Sequence, residues 1–245
     1  MLNKKLNKFN LYDGKGHFTI KLDKSDLNKI RKIVQSYLIG VINKKYPQLK
    51  DKTKNLKIYN YHKISKHVDH SMLWNYMSRC LNKNNVKEVE KLRIFKKLKK
   101  IFGKIKVMDD QNLGHGVMNC RIVRPNRKKD ITPLHADKWF WFNNKTKKYQ
   151  KNSIMKNKKR IRCWISIWGH SLYGLKAIDY SHLHYKNIGL KKKKILCLNK
   201  RTNPINSTPG NAIVFNEGLI HSGRLNLHNQ TRISLEFSMF VNSRN

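Results

Sequence analysis

The spacing of the apolar residues changes near Gly103, and this change limits the folds open to the chain. Before Gly103 the apolar residues recur at helical spacing, and after it short apolar runs alternate with turn residues. Helices followed by evenly spaced strands are typical of α+β proteins. Because an amphipathic helix is stable only when its apolar face is covered, we expect residues 1–103 to pack on a sheet formed by residues 104–245, as a single domain.

Three helices are predicted in the first part. The first follows Ser25 and Asp26, which can cap a helix, and ends before Pro47. A second, weaker pattern covers Ser65–Leu81. The third begins at Asn85, with a glutamate three residues later as in a capping box, and continues until the glycine at position 103.

Short β-rich runs in the second part predict a series of strands. They are Lys104–Met108, Val117–Arg124, Ile131–Asp137, Arg160–Trp168, Lys194–Leu198, Asn211–Phe215 and Arg232–Val241. Two Lys-rich stretches, Asn143–Arg160 and Lys191–Lys194, interrupt the series and are predicted to be solvated loops. The expected fold is therefore α+β, with a double-stranded β-helix (jelly roll) core and N-terminal helices packed on one sheet.

The composition points to an anionic partner without choosing one. The 245 residues include 54 Lys and Arg against 14 Asp and Glu, a formal net charge of +40. Nucleic acid, a membrane surface or an acidic glycan would each satisfy that charge. Much of it comes from Lys scattered among Asn and Ile, a pattern that compositional bias alone can produce.

The cysteines and the apolar stretches indicate the cellular setting. The four cysteines lie far apart, with no CxxC pair and no histidine at zinc-finger spacing, so neither a disulfide framework nor a zinc knuckle is expected. No stretch approaches the roughly 20 apolar residues of a membrane span, and no apolar core follows the basic N-terminus. We expect a reducing, cytoplasmic setting without a membrane span.

Three residues suggest a metal site. On a strand, His135 and Asp137 would point to the same face and could present an imidazole and a carboxylate to one ion. His221 follows the apolar run that ends at Phe215, and Arg232 comes eleven residues after His221. Two histidines and one carboxylate form the facial triad that leaves positions open on a non-heme iron(II). An arginine nearby offers a permanent, planar cation for a carboxylate of a co-substrate.

These motifs resemble the iron(II)- and 2-oxoglutarate-dependent dioxygenases, and more narrowly the phytanoyl-CoA dioxygenase-like branch. The supporting segments share the order found in that branch, and they are Ile122–Pro125, Pro133–Trp141, Cys163–Trp168, Ser171–Leu172 and Ser181–His182. Where the branch commonly has Pro-Gly before the Ser-His pair, this chain has Asp179–Tyr180. The resemblance covers roughly residues 117–241.

The resemblance implies roles for individual residues. It makes His135, Asp137 and His221 the ligands of Fe(II). It also implies a set of 2-oxoglutarate-binding residues, comprising Arg232 for the distal carboxylate, Ser234 for a further hydrogen bond, and Trp164 in the wall of the co-substrate pocket. Asn119 and Arg121 are further candidates for that pocket, although the polar face of a half-buried strand accounts for both equally well.

Three functions remain open from the sequence. The first is hydroxylation of a C–H bond in a small molecule, using O2 and releasing succinate and CO2. The charge favours an anionic substrate, such as a sugar, lipid, CoA-linked or nucleotide-linked compound.

The second function is oxidation of nucleic acid, as in the AlkB-like demethylases. Those enzymes carry a further arginine six residues beyond the co-substrate arginine, where this chain has Ser238. The third is a basic jelly-roll binding module without enzymatic activity.

Overall fold

A computed structural model of the chain describes residues 2–143, 148–149, 158–184 and 201–242. Its α-helices are α1 (Leu2–Tyr12), α2 (Lys24–Lys45), α3 (Lys50–Thr53), α4 (His70–Leu73), α5 (Tyr76–Arg79), α6 (Lys83–Glu90), α7 (Arg93–Phe102) and α8 (Ser181–His184). Its first strands are β1 (His17–Lys21), β2 (Ile105–Val107), β3 (Asn119–Val123), β4 (Phe142–Asn143), β5 (Lys148–Tyr149) and β6 (Lys158–Trp168). The remaining strands are β7 (Leu175–Ala177), β8 (Asn203–Ile205), β9 (Asn211–Asn216), β10 (His221–Gly223) and β11 (Arg232–Asn242).

The strands form two main antiparallel sheets. The larger has six strands in the order β1-β9-β6-β11-β2, with β3 also paired to β11. The smaller has three strands in the order β10-β7-β8, and β4 and β5 form a separate pair. Side chains from both main sheets, such as Phe215 and Leu175, meet in one buried apolar cluster. The two sheets therefore face each other and enclose an interior.

The two faces of the larger sheet differ in chemistry, because successive side chains of a strand point to opposite sides. One face of β6 and β11 carries apolar residues that pack with the helices, namely Ile161, Cys163, Ile165, Ile167, Ile233, Leu235, Phe237, Met239 and Val241. The other face carries Arg162, Trp164, Arg232 and Glu236, which line a cavity between the sheets. The helices thus cover one face of this sheet, as predicted.

The helical layer packs through regularly spaced apolar residues. In α2, Ile30, Val34, Leu38 and Ile42 are fully buried at intervals of one helical turn. In α7, Phe95 stacks on Phe237 of β11 with ring centroids 5.5 Å apart. These contacts join the helices and the larger sheet in one apolar core.

The helix predictions need correction at their ends and in their continuity. Asp26 does not cap the helix that contains it; its carboxylate accepts a hydrogen bond of 2.8 Å from the Ile94 backbone N–H at the start of α7. The predicted helix from Asn85 to the glycine at 103 is two helices, α6 and α7, and the Asp26 contact lies at the start of the second one. The cap of α6 is Asn82, whose side chain accepts from the Asn85 N–H. Gly103 does end α7, with φ 78°.

The prediction of one helix over Ser65–Leu81 is wrong. This segment contains a 3-10 turn followed by the short helices α4 and α5. Asp69 accepts from the N–H groups of Ser71 and Met72, and Asn75 accepts from the Ser78 N–H. Because these side chains bind backbone donors inside the segment, they start new turns instead of allowing one continuous helix.

Five predicted strands are confirmed to within two residues at each end, as β2, β3, β6, β9 and β11. The predicted strand Ile131–Asp137 is wrong, because only His135 in it forms a β-bridge. The predicted strand Lys194–Leu198 and the stretch Lys191–Lys194 lie outside the described residues. In the predicted loop Asn143–Arg160, Asn143 and Lys148–Tyr149 belong to the β4–β5 pair and Lys158–Arg160 belong to β6, whereas residues 144–147 and 150–157 lie outside the described residues. Strands β1, β7, β8 and β10 were not predicted, and three of them have only three residues each.

Within the described part of the chain, no helix has the length and apolar character needed to cross a membrane. Cys80, Cys120 and Cys163 are free and buried. The cytoplasmic setting stays a prediction.

Candidate metal centre

The segment that contains His135 and Asp137 pairs with β10 through a single β-bridge. The His135 backbone N–H donates to the His221 carbonyl at 3.0 Å, and the His221 N–H donates back at 2.8 Å. Pro133 has no N–H to donate to a ladder, so the pairing does not extend into a strand. Immediately after the bridge, Asp137 begins a 3-10 helix that ends at Trp141. The bridge and the turn, not strand alternation, bring His135 and Asp137 together.

The predicted triad forms one cluster. One ligand atom from each of His135, Asp137 and His221 lies within 4.8 Å of the other two. Asp137 and His221 are buried, and His135 is half-buried. The Asp137 Oδ1 atom lies 3.5 Å from His135 Nε2. These three side chains could hold a metal ion.

Backbone contacts orient both imidazoles. The Nδ1 of His135 lies 2.6 Å from the Pro133 carbonyl oxygen, and the Nδ1 of His221 lies 3.0 Å from the Leu219 carbonyl oxygen. A carbonyl oxygen only accepts, so each Nδ1 carries the proton and donates it. The Nε2 lone pair of each ring is then free for a metal ion. In metal sites, a hydrogen bond from one ring nitrogen commonly fixes the ring so that the other nitrogen faces the ion.

The protonation states also suit a metal ion. Burial opposes ionisation of Asp137, but the Arg162 guanidinium and the contact with His135 hold the pKa of that carboxyl well below its usual range. Burial and repulsion from His135 lower the pKa of His221 to about 4. Near neutral pH the cluster therefore contains a carboxylate and a neutral imidazole at 221, the forms that bind metals.

Arg232 lies in the same cavity and has spare donors. Its Nη1 donates to the carbonyl oxygens of Tyr173, Gly174 and Arg224, with the Gly174 contact at 2.6 Å. Its buried Nε has no hydrogen-bond partner among the described residues. Burial and the charge of Arg121 lower the pKa of Arg232 to about 10, so it remains a cation at neutral pH.

Ser234 and Gly223 complete the surroundings of Arg232. The Ser234 hydroxyl is buried and, within the described part of the chain, is also without a hydrogen-bond partner. Gly223 approaches the guanidinium so closely that a Cβ at this position would lie 3.1 Å from Arg232 Nη2. Orphaned buried donors are rare in folded proteins, so Arg232 Nε is a candidate position for an acceptor oxygen of a ligand. Ser234 follows two residues later on β11 and is not among the described residues that line the cavity.

The other candidate co-substrate residues divide into two groups. Trp164 and Arg121 line the cavity together with the three residues of the cluster. Asn119 is instead engaged by the helical layer, since its amide donates to Tyr76 Oη at 2.9 Å and accepts from Cys80 Sγ at 3.2 Å. Within the described residues, the cavity lining does not include Asn119.

Three charged residues of the cavity, Asp130, Arg162 and Glu236, were not predicted from the sequence. Arg162 Nε lies 2.8 Å from Asp137 Oδ2, and Glu236 Oε1 lies 2.7 Å from Arg121 Nε. Arg162 and Glu236 occupy alternate positions of strands that were predicted correctly, and Glu236 is the single charged residue between Arg232 and Asn242. A charged residue at an inward position of a buried strand is the signal that could have identified them.

The departure at Asp179–Tyr180 preserves the turn. Tyr180 occupies the place of the family's glycine, and it adopts φ 63°, the left-handed conformation that glycine takes easily. The next residue, Ser181, accepts a hydrogen bond of 2.8 Å from the Ile220 N–H, directly before His221. Ser181 therefore connects this turn to the backbone beside the second histidine.

No protein-family model matches the sequence, and no curated protein sequence matches it either. Similarity is found among solved structures. The chain superposes on the non-heme monooxygenase ThoJ, in its nickel complex, with a TM-score of 0.55 and 11% identity over 96% of this chain and 77% of ThoJ. It superposes on SnoK, a non-heme α-ketoglutarate-dependent carbocyclase from nogalamycin biosynthesis, with a TM-score of 0.55 and 10% identity over 95% of this chain and 82% of SnoK.

A third similar structure is SnoN, a non-heme α-ketoglutarate-dependent epimerase from the same biosynthesis. Its TM-score is 0.53 at 10% identity, over 99% of this chain and 86% of SnoN. Such identities establish a common fold and nothing finer. The resemblance to the 2-oxoglutarate-dependent oxygenases is thereby confirmed for the fold of the chain. In this fold, the His-Asp-His cluster lies in the cavity between the two sheets.

Proposed function

We propose that the protein is an Fe(II)- and 2-oxoglutarate-dependent oxygenase that oxidises a C–H bond of a small molecule. In this proposal the chain is one catalytic domain with a jelly-roll core, of the phytanoyl-CoA dioxygenase-like branch. The observation that carries the proposal is the placement of the His135, Asp137 and His221 cluster in one cavity with Arg232, whose buried Nε has no hydrogen-bond partner among the described residues. A metal triad and a carboxylate-binding arginine are what a metal-chelated dicarboxylate requires.

The residues present fit the metal. His135 and His221 would bind through Nε2, since each Nδ1 is engaged by a backbone carbonyl. Asp137 would bind as a carboxylate. Two nitrogen ligands and one oxygen ligand suit iron(II) and leave coordination positions for a co-substrate and O2.

The residues also fit 2-oxoglutarate. Arg232 would bind the distal carboxylate through Nε, while its Nη1 contacts fix the guanidinium plane. Ser234 would donate its hydroxyl proton to the same carboxylate, and Trp164 would form a wall that excludes water. Iron(II) with 2-oxoglutarate and O2 supplies the oxidising power when bound, with release of succinate and CO2.

The charges lining the cavity support joint binding of a metal and a dianion. Three arginines and three carboxylates line it, namely Arg121, Arg162, Arg232, Asp130, Asp137 and Glu236. The lining is therefore balanced before anything binds. A divalent cation alone would leave an excess of two positive charges in a buried site, and a dicarboxylate would cancel that excess. We expect 2-oxoglutarate binding to depend on the metal.

The substrate proposal is a small, anionic molecule. Support for a small molecule comes from the structural neighbours, whose names describe a monooxygenase, a carbocyclase and an epimerase. Support for an anion comes from the net charge of +40. Hydroxylation is the simplest outcome of C–H oxidation, and the neighbours' names indicate that ring closure or epimerisation can occur on the same fold.

An anaerobic titration with Fe(II) and 2-oxoglutarate tests the proposal without a substrate. We expect the visible charge-transfer band of an iron-bound 2-oxo acid in the wild-type protein. The band should disappear in His221→Ala and weaken in Arg232→Met. His182→Ala is a matched control, since His182 and His221 have the same 8% exposure and His182 lies outside the cluster. A folded wild-type protein without the band would contradict the proposal and favour a binding module.

A further inference from the structure

Arg162 is held on three sides at the base of the metal cluster. Its Nε lies 2.8 Å from Asp137 Oδ2, and its Nη1 donates to Ser238 Oγ at 2.8 Å. Its Nη2 lies 3.8 Å from Glu236 Oε2. One hydrogen bond and two ion pairs therefore restrain the half-buried guanidinium.

The two oxygens of the Asp137 carboxylate face different partners. Oδ1 lies on the side of His135, 3.5 Å from its Nε2, and Oδ2 lies against Arg162. The Oδ2 contact is an ion pair without hydrogen-bond geometry. An oxygen that faces a guanidinium is an unfavourable ligand for a second cation, because the two positive charges repel each other. Oδ1, which faces His135, avoids that repulsion.

From this geometry we propose that Arg162 is a positioning residue that keeps Asp137 a one-oxygen ligand and so preserves the open coordination positions of the metal. The inference rests on the proposed function, because the open positions matter only if a chelating co-substrate and O2 must bind. A carboxylate that bound through both oxygens would occupy one of these positions.

An arginine is suited to this role for geometric and electrostatic reasons. Its planar fork can contact Asp137, Ser238 and Glu236 simultaneously, whereas a lysine is a point charge on a flexible stem. Its charge would repel a metal ion, but Glu236 lies between Arg121 and Arg162, with Oε1 2.7 Å from Arg121 Nε. These two arginines, together with the carboxylates of Glu236 and Asp137, carry no net charge before the metal binds.

The test uses cobalt(II) as a spectroscopic probe, because its visible absorption reports the coordination number. The variants are Arg162→Met, Arg162→Lys and the matched control Arg160→Met. Arg160 lies two residues earlier on the same face of β6, and its Nη2 pairs with Glu217 at 2.5 Å. We expect the wild-type protein and Arg160→Met to give the same cobalt spectrum. Arg162→Met should change the spectrum and weaken 2-oxoglutarate binding by about ten- to a hundredfold, the range for residues that orient metal ligands.

Arg162→Lys should fall between Arg162→Met and the wild-type protein, since it restores the cation without the fork. If Arg162→Met fails to fold, Ser238→Ala removes one support of the guanidinium and should shift the spectrum in the same direction by a smaller amount. Unchanged cobalt spectra and unchanged 2-oxoglutarate affinity in the folded variants would overturn the inference. A wild-type protein that binds cobalt(II) but not 2-oxoglutarate would overturn the proposed function, and the inference with it.

Discussion

The two faces of strands β6 and β11 differ in chemistry, although they belong to the same two strands. On the helix-facing side, Ile165 and Leu235 are fully buried among apolar neighbours. On the cavity side, Arg162, Arg232 and Glu236 are charged, buried or nearly so, and held by ion pairs and backbone carbonyls. Burial of apolar surface stabilises the fold, whereas burial of charge generally opposes it unless the charge is paired.

The difference between the faces separates stability from chemistry. The apolar face is complete in itself, since its residues pack against the helices. The polar face is incomplete, because Arg232 Nε and Ser234 Oγ have no partners among the described residues. Substitutions on the apolar face should therefore reduce stability, and substitutions on the polar face should mainly reduce ligand binding.

The largest expected effect is on the apolar face. Phe237→Ala removes a fully buried ring that stacks on Phe95. We expect the free energy of unfolding to fall by about 3–5 kcal/mol, the usual range for deleting a buried aromatic side chain. Urea denaturation followed by circular dichroism measures this change. A loss below about 1 kcal/mol would mean that this face is not the stabilising one.

The corresponding change on the polar face is Arg232→Met. It should weaken 2-oxoglutarate binding to the metal-loaded protein by about 2–5 kcal/mol, at least thirtyfold, because a buried charge pair is lost. Isothermal titration under anaerobic conditions measures the affinity. Metal binding should be unchanged, since Arg232 does not belong to the cluster. Equal weakening of metal and 2-oxoglutarate binding would indicate collapse of the cavity, and the separation of the two faces would then fail.

Ser234→Ala should separate ligand binding from stability on the polar face. The hydroxyl has no partner, so its removal should leave the free energy of unfolding unchanged or slightly higher. Affinity for 2-oxoglutarate should fall by about 1 kcal/mol, the usual contribution of one hydrogen bond. The same two measurements, denaturation and titration, check both expectations. Lower stability with unchanged affinity would place Ser234 with the structural residues.

The smallest expected effect concerns a histidine outside the cavity. Burial lowers the pKa of His182, whose Nε2 lies 3.1 Å from the Tyr12 carbonyl oxygen. Since its pKa is lower in the folded than in the unfolded chain, the unfolded chain binds more protons below about pH 6.5, and stability is lost as the pH falls from there toward the folded value. His182→Gln retains an amide donor for Tyr12 and should reduce the decline in unfolding free energy between pH 7 and pH 5. An unchanged pH dependence would contradict this expectation.

The sequence was most informative where function requires particular residue types. His135, Asp137, His221 and Arg232 were predicted from their order and spacing, and the structure brings all four to one cavity. It was least informative where a partner is distant in the chain. The Asp26 carboxylate accepts from a backbone N–H 68 residues later, at the start of α7, and no local pattern reveals such a contact.

The charged pairs of the cavity show the same limit. Strand register brings Arg162 close to Glu236. The turn at Asp137, which follows the bridge at His135, brings Asp137 close to Arg162. A charged residue on a buried strand is unusual, but the sequence does not show which distant residue it pairs with. The single-domain organisation and the substrate stay predictions.

Anomalous diffraction from crystals grown anaerobically with manganese(II) and 2-oxoglutarate tests the central claim most directly. We expect one manganese peak bounded by His135 Nε2, Asp137 Oδ1 and His221 Nε2, together with 2-oxoglutarate in the same crystals. We also expect the distal carboxylate of 2-oxoglutarate to lie on Arg232 Nε and Ser234 Oγ. Manganese bound elsewhere, or an occupied metal cluster with no dicarboxylate on Arg232, would contradict the claim that the polar face of these strands is built for a metal-chelated co-substrate.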